Sequence, residues 1–185
     1  MTTATKLVVA ALMLAASNAA AKDNKVVADA NQKVREFYGV PLNLKLWDLK
    51  KLRSTSELGW EMGEGDVYPT AKIVVNDSVT LNASFGSDGG LYMLETSSSG
   101  AVGPHGTFVG STLEQVKKTW PSGRLIWGVN HGNRYVTFST STGIYYQFSP
   151  ADLAPEAWAD FSKDYEVDPS IKAITIRFAA IDEGQ

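Results

Sequence analysis

From Ile73 onward the apolar residues of this chain recur at every second position, the pattern of strands buried on one face only. Ile73 and Val75 mark a first short strand, and Asn76-Asp77 is a turn signal. Val79, Leu81, Ala83 and Phe85 alternate with polar partners in the next strand. Ser87-Asp88-Gly89-Gly90 supplies residues that tolerate positive φ, and Leu91 to Thr96 follows as a third strand. A second run of the same kind covers Arg124 to Gly128, Arg134 to Phe138 and Gly143 to Phe148, with turns at 130–133 and 139–142. The last strand is Ile171 to Ala179, where Ile174, Ile176 and Phe178 alternate with Thr175 and Arg177.

Helical spacing occurs elsewhere. Between the two meanders, Ser111 and Glu114 form a capping box, Leu113, Val116 and Trp120 share a face, and Lys117 and Lys118 suit the helix C-terminus. Pro121 and Gly123 end it. Val27, Ala30, Val34 and Phe37 predict a helix over Lys25 to Tyr38, stopped by Gly39. Ser149-Pro150 starts a helical turn, and Pro155 to Phe161 reads as a short helix. Leu42 to Leu52 fits strand in its first half and helix in its second. Ser54 to Pro69, with Gly59, Gly63 and Gly65, reads as loop, as does Ser97 to Gly110. The expectation is an α+β fold: an antiparallel sheet from two three-stranded meanders, a connecting helix and a C-terminal strand.

Lys6, an apolar run from Leu7 to Ala16 and the small residues Ala19-Ala20-Ala21 have the order of a secretory signal peptide. A bilayer span needs about twenty apolar residues, so the run is too short to anchor the chain. Cleavage after Ala21 leaves residues 22–185 as a single domain, periplasmic or secreted, with no membrane span. With Lys6 removed, the 17 basic side chains fall to 16 against 20 acidic ones, a net charge near −4 without a basic stripe. Nucleic acid and anionic membrane are thereby disfavoured as partners. The chain has no cysteine, so it has no disulfides and no lipoprotein-type acylation site. Exported domains without disulfides fit a bacterial envelope better than an animal extracellular space.

Three stretches resemble a family of uncharacterised bacterial envelope proteins, the RpoE-regulated lipoproteins. They are Ser87 to Thr96, Val109-Gly110-Ser111-Thr112-Leu113 with the helix after it, and Gly143-Ile144-Tyr145-Tyr146-Gln147-Phe148-Ser149 with the proline-containing tail. Together they cover roughly half of the chain after Ala21. The family's acylated cysteine is replaced here by Ala21-Lys22. The resemblance implies an envelope location and an α+β sheet domain, and it implies no activity.

Little in the sequence has the pattern of catalysis. The two histidines, His105 and His131, each precede a glycine in a turn, and a zinc site wants three or four convergent ligands. No serine sits in a Gly-x-Ser-x-Gly elbow, although hairpin geometry allows a pairing of Ser141 with His131 as in a hydrolase. Glu61, Glu64 and Asp66 cluster in a Gly-rich loop but form no calcium loop. No catalytic residue, metal ligand or cofactor is therefore assigned. The suggestive feature is the aromatic content of the second meander. Ile144, Tyr146 and Phe148 share the core side of their strand, which turns Tyr145 outward, near Arg134 or Trp127. Exposed Tyr, Trp and Arg are typical interface residues. The candidate binding residues are thus Trp127, His131, Asn133, Arg134 and Tyr145, in a non-catalytic module that binds an envelope protein or glycan. The alternatives are an envelope hydrolase using loop carboxylates or histidines, and a secreted inhibitor of lysozyme type.

Overall fold

The computed structural model describes residues 34–52, 55–63, 65–130, 133–149, 151 and 167–179. The segment read as a signal peptide, most of the helix expected over Lys25 to Tyr38, His131, and the helix expected at Pro155 lie outside these residues. Where that first helix should end, Glu36–Phe37 (β1) and Val40–Pro41 (β2) pair as a tight hairpin instead. Its two turn residues, Tyr38 and Gly39, both have positive φ (52° and 75°), as a two-residue hairpin turn requires. Gly39 is a turn glycine and not a helix stop.

The chain is dominated by one antiparallel sheet of eight strands, which corrects the expectation of an α+β fold with two three-stranded meanders. The strands are β3 (Thr55–Gly63), β4 (Asp66–Asn76), β5 (Val79–Phe85), β6 (Leu91–Thr96), β7 (Arg124–Asn130), β8 (Asn133–Ser139), β9 (Ile144–Phe148) and β10 (Ala173–Ala179). Their spatial order is β3-β4-β5-β6-β10-β9-β8-β7. The first meander therefore has four strands, and the C-terminal strand joins it to the second. The stretch read as loop, Ser54 to Pro69, contains all of β3 and the start of β4. Its glycines misled for a physical reason. Gly63 and Gly65 lie at the hairpin turn, whereas Gly59 sits inside β3, where an added Cβ would lie 3.0 Å from the Thr70 hydroxyl.

One face of the sheet is the core. A continuous row of cross-strand neighbours runs Ala71, Ala83, Leu94, Phe178, Ile144, all buried. Phe37 of the N-terminal hairpin stacks on Phe178 with ring centroids 4.2 Å apart. In the ambiguous stretch Leu42 to Leu52 the first half is not a strand but a turn followed by one isolated bridge, Lys45 to Gly90, and the second half is helical. Its first half runs alongside β6, with Leu91 N donating to Leu44 O at 2.8 Å, and Leu46–Lys51 is a 3-10 helix. Trp47 of that helix lies over the turn at Gly89, where φ is +72° and a Cβ would be 2.6 Å from the indole. In the same turn the Gly90 amide and then Lys45 hold the Asp88 carboxyl below the usual carboxylate pKa.

Leu113–Thr119 forms the helix, α1. Its capping box is Thr112 with Gln115, one residue later than the Ser111–Glu114 pair expected from sequence. The Ser111 hydroxyl is taken up by the Phe108 amide, which donates to it at 2.9 Å. The segment before α1 runs alongside the start of β10. Gly110 N donates to Ala173 O at 2.8 Å, Ala173 N to Ser111 O at 2.9 Å, and Leu113 N to Ile171 O at 2.9 Å. Among the described residues no helix is long and apolar enough to cross a membrane.

Beneath β9 a buried polar cluster ties these layers together. The Trp120 indole donates to the Tyr146 hydroxyl at 3.0 Å, and that hydroxyl lies 2.6 Å from Thr107 Oγ1. Thr107 spends its single proton on Pro104 O at 2.8 Å, so Tyr146 is the donor to Thr107. Burial raises the Tyr146 pKa from 10.0 to about 12, partly offset by these two hydrogen bonds. Tyr146→Phe leaves the indole N–H unpaired, and we expect a loss of about 1–3 kcal/mol in urea unfolding at unchanged m-value. The same substitution has a pH signature. Above the unfolded value of 10.0 the unfolded chain loses its tyrosine proton while the folded chain keeps it up to about 12. Stability therefore falls across that window, by at most about 1.4 kcal/mol per pH unit from this group. Comparing wild type with Tyr146→Phe isolates the effect; equal slopes for the two proteins would refute it. At the end of α1, a Cβ on Gly123 would overlap the Phe138 ring and sit 2.9 Å from Ser139 O. Gly123→Ala is expected to cost about 1–3 kcal/mol through overpacking, read as a lowered melting midpoint.

Candidate functional site

The side chains that alternate with the core row point to the opposite face, which no described element covers. Directly paired neighbours run Glu57, Lys72, Asn82, Glu95 across β3 to β6. The row continues through Arg177, Tyr145, Ser139 and Arg124 across β10, β9, β8 and β7. One polar residue from each strand thus forms a band across the whole sheet, with opposite charges paired at Glu57–Lys72 and at Glu95–Arg177. Such opposite-charge neighbours stabilise a sheet modestly.

The centre of this band holds an ion pair. Arg177 Nε donates to Glu95 Oε2 at 2.7 Å, with both side chains about one-third exposed or less. On the β3–β6 side, a shallow trough of about 540 Å³ lies over Gly59, Thr70 and Ser84, whose small side chains form its floor. On the other side, a trough of about 390 Å³ is bordered by Tyr92, Tyr135, Tyr145, Ile126, Met93 and Arg177. The face is therefore polar at one end and aromatic at the other, with the guanidinium and carboxylate between them. Tyrosine rings offer flat apolar area with a polar tip, and the band supplies hydroxyl, amide and charged groups on rigid strands.

Of the residues proposed from sequence, Tyr145 lies on this face, and its neighbours are Arg177 and Ser139. Trp127 pairs with Val136 and packs half-buried against the core, so it occupies the opposite face from Tyr145. Asn133 and Arg134 lie at the far end of β8, five or six residues from Ser139. At about 3.4 Å per residue, that places their backbone roughly 17–20 Å from the pairing partner of Tyr145. Trp127 and Tyr145 thus lie on opposite faces, with Asn133 and Arg134 at the far end of β8, and His131 lies outside the described residues. Ser141 lies in the turn between β8 and β9, and its expected partner His131 lies outside the described residues. His105, in the short 3-10 turn Pro104–Gly106, packs edge-on against Trp120 at 4.9 Å. The carboxylates read as a loop cluster belong to the β3–β4 hairpin: Glu61 is on β3 and Asp66 begins β4. Among the described residues no three His, Asp or Glu side chains are grouped to hold a metal ion.

The sequence reading missed Glu95, Arg177, Asn82 and Lys72. Their only signal was occupancy of the polar phase of a strand. Which polar residues meet depends on the register between strands 82 residues apart, which local patterning does not carry.

No protein-family model matches the chain, and no curated protein matches it significantly in sequence. Its fold is similar to the crystal structure of the uncharacterised protein YfeY from Escherichia coli, with a TM-score of 0.56 at 18% identity over 80% of this chain and 97% of that one. A second solved structure, an extracellular protein containing an SCP domain from Bacillus anthracis, matches 86% of this chain and 49% of that chain with a TM-score of 0.43 and 12% identity.

Proposed function

We propose that the chain is a non-catalytic binding module of the bacterial cell envelope and that the open face of its sheet binds a glycan of the cell wall. The observation that carries this reading is the tyrosine-bordered trough beside Arg177, continuous with the polar band across the sheet. Ligand sites combine apolar contact area with a few fixed polar groups. Flat tyrosines set among hydroxyl, amide and charged side chains complement a pyranose ring, which has apolar faces and a rim of hydroxyls. The envelope setting draws on two supports. One is the signal-peptide reading of residues 1–21. The other is the fold likeness to YfeY, which accords with the resemblance to the RpoE-regulated lipoproteins.

Calorimetric titration with soluble cell-wall glycan fragments tests the reading. Wild type is expected to bind saturably. Tyr145→Ala and Arg177→Ala should each weaken binding about tenfold or more, equivalent to about 1.4 kcal/mol. Lys117→Ala, on the helical side of the sheet, should leave binding unchanged. Saturable binding that is indifferent to Tyr145 and Arg177 would move the site off this face. Absence of glycan binding together with a stoichiometric protein captured through Tyr145 would replace the glycan by a protein partner.

A further inference from the structure

The β3–β4 hairpin carries a second surface. β3 is an outermost strand of the sheet, so among the described residues its outer backbone edge pairs with no strand. Its core-side positions are apolar and uncovered: Leu58 is 65% exposed, Trp60 72% and Met62 80%, with Val67 of β4 at 55%. β5 pairs with β4 only from Thr70 onward, so the distal part of the hairpin stands clear of the third strand. The opposite edge, β7, differs, because its Leu125, Ile126 and Trp127 are half-buried. A long apolar edge strand is a template for pairing with another strand, and an apolar patch of this kind marks an interaction site.

The order of side chains on β3 suits pairing with a second copy of itself, and its charges bear on the register. Glu57 and Glu61 flank Gly59 on the other side of the strand. In a symmetric antiparallel pair of β3 strands with Gly59 on the two-fold axis, Glu57 would face the partner's Glu61 twice, and like charges directly opposite are destabilising. Moving the axis to Trp60 removes that conflict. Trp60 then faces the partner's Trp60, Leu58 faces the partner's Met62, and Glu61 faces the partner's Gly59. This register joins the apolar side chains of both strands and opposes no two carboxylates.

We propose that the chain forms a symmetric homodimer in which two β3 strands pair antiparallel about Trp60, fusing two eight-stranded sheets into one. Such an interface is isologous and closes at two copies. It also sets the two open faces side by side, with the Gly59–Ser84 troughs adjoining across the axis. An elongated ligand spanning both would bind with an avidity that one copy lacks. The dimer itself rests on the edge strand and not on the glycan reading.

Sedimentation of the full chain at micromolar concentration should give twice the monomer mass, and Trp60→Glu should give the monomer with an unchanged circular dichroism spectrum. Met62→Lys serves as the second dissociating variant. The absence of cysteine allows a test of register. Trp60→Cys, on the axis, should form a disulfide-linked dimer on mild oxidation. Leu58→Cys should not, because the two copies of that residue lie about 13 Å apart and a disulfide requires Cα atoms within about 7 Å. A monomer mass for wild type with no cross-link through Trp60→Cys overturns the proposal. So does a monomer that uses Trp60 to bind lipid vesicles, which would assign the hairpin to a membrane surface. Cross-linking through Leu58→Cys but not Trp60→Cys overturns the register.

Discussion

Everything in this architecture depends on β10 finding the gap between β6 and β9. The two meanders are each made of neighbours in sequence, and neither hydrogen-bonds to the other. β10 pairs antiparallel with both, and only through it does an eight-stranded sheet exist. It also completes both faces at once. Ile176 and Phe178 enter the buried row, while Arg177 between them completes the polar band opposite Glu95 and Tyr145. A register slip of one residue would reverse this, burying a guanidinium and exposing a phenylalanine. The cost of such a slip is what specifies the register.

The approach of β10 is fixed by a contact that is itself non-local. The segment from Gly110 to Leu113 exchanges backbone hydrogen bonds with Ile171 and Ala173 immediately before α1 begins. The capping box of Thr112 and Gln115 therefore sets where the helix starts and also where the last strand is received. Trp120, at the other end of α1, reaches the Tyr146 hydroxyl on β9, next to β10. The helix thus crosses from the strand that closes the sheet to the strand beside it. The buried hydroxyl favours one seating of α1, since any other would leave the indole N–H unpaired in apolar surroundings.

Several features were legible in sequence because they are local. The alternation in Val79 to Phe85, Ile144 to Phe148 and Ile176 to Phe178 showed which residues face inward, and Tyr145 does lie opposite the core, as that alternation requires; Ile174, expected inward with them, is exposed because the register shifts between Ala173 and Thr175 and Ala173 is buried in its place. The helix between the meanders was also evident, displaced by one residue because Ser111 and Thr112 are both competent caps and only the hydrogen bonds of Ser111 to Phe108 distinguish them. β3 was missed because its apolar residues are separated by glycine and carboxylates, a composition that reads as loop when the pairing strand is not considered. The two halves of the polar band were unreadable for the reason that β10 is decisive. Glu95 and Arg177 become neighbours through the fold alone, and the order of strands around them has no counterpart in the order of the chain.

The same one-sided burial accounts for both surfaces to which function is ascribed here. A single sheet covered by helix, hairpin and loops on one side has a second face that must remain compatible with water, and the polar band satisfies that need. Its small residues at Gly59, Thr70 and Ser84 and its tyrosines around Arg177 give that face relief without the use of loops. Side chains fixed on paired strands lose little further freedom when a ligand arrives, which favours binding by a preformed surface. At the β3 edge the covering layer ends before the sheet does. The core row of Leu94 and Ala83 is buried, Ala71 on β4 still is, and Leu58 on β3 is not. Among the described residues the sheet is thus one strand wider than its cover, and that extra strand is where apolar side chains are exposed. Pairing of such an edge removes apolar side chains from water, and a second copy of the same edge, shifted to keep the carboxylates apart, is the partner proposed for it.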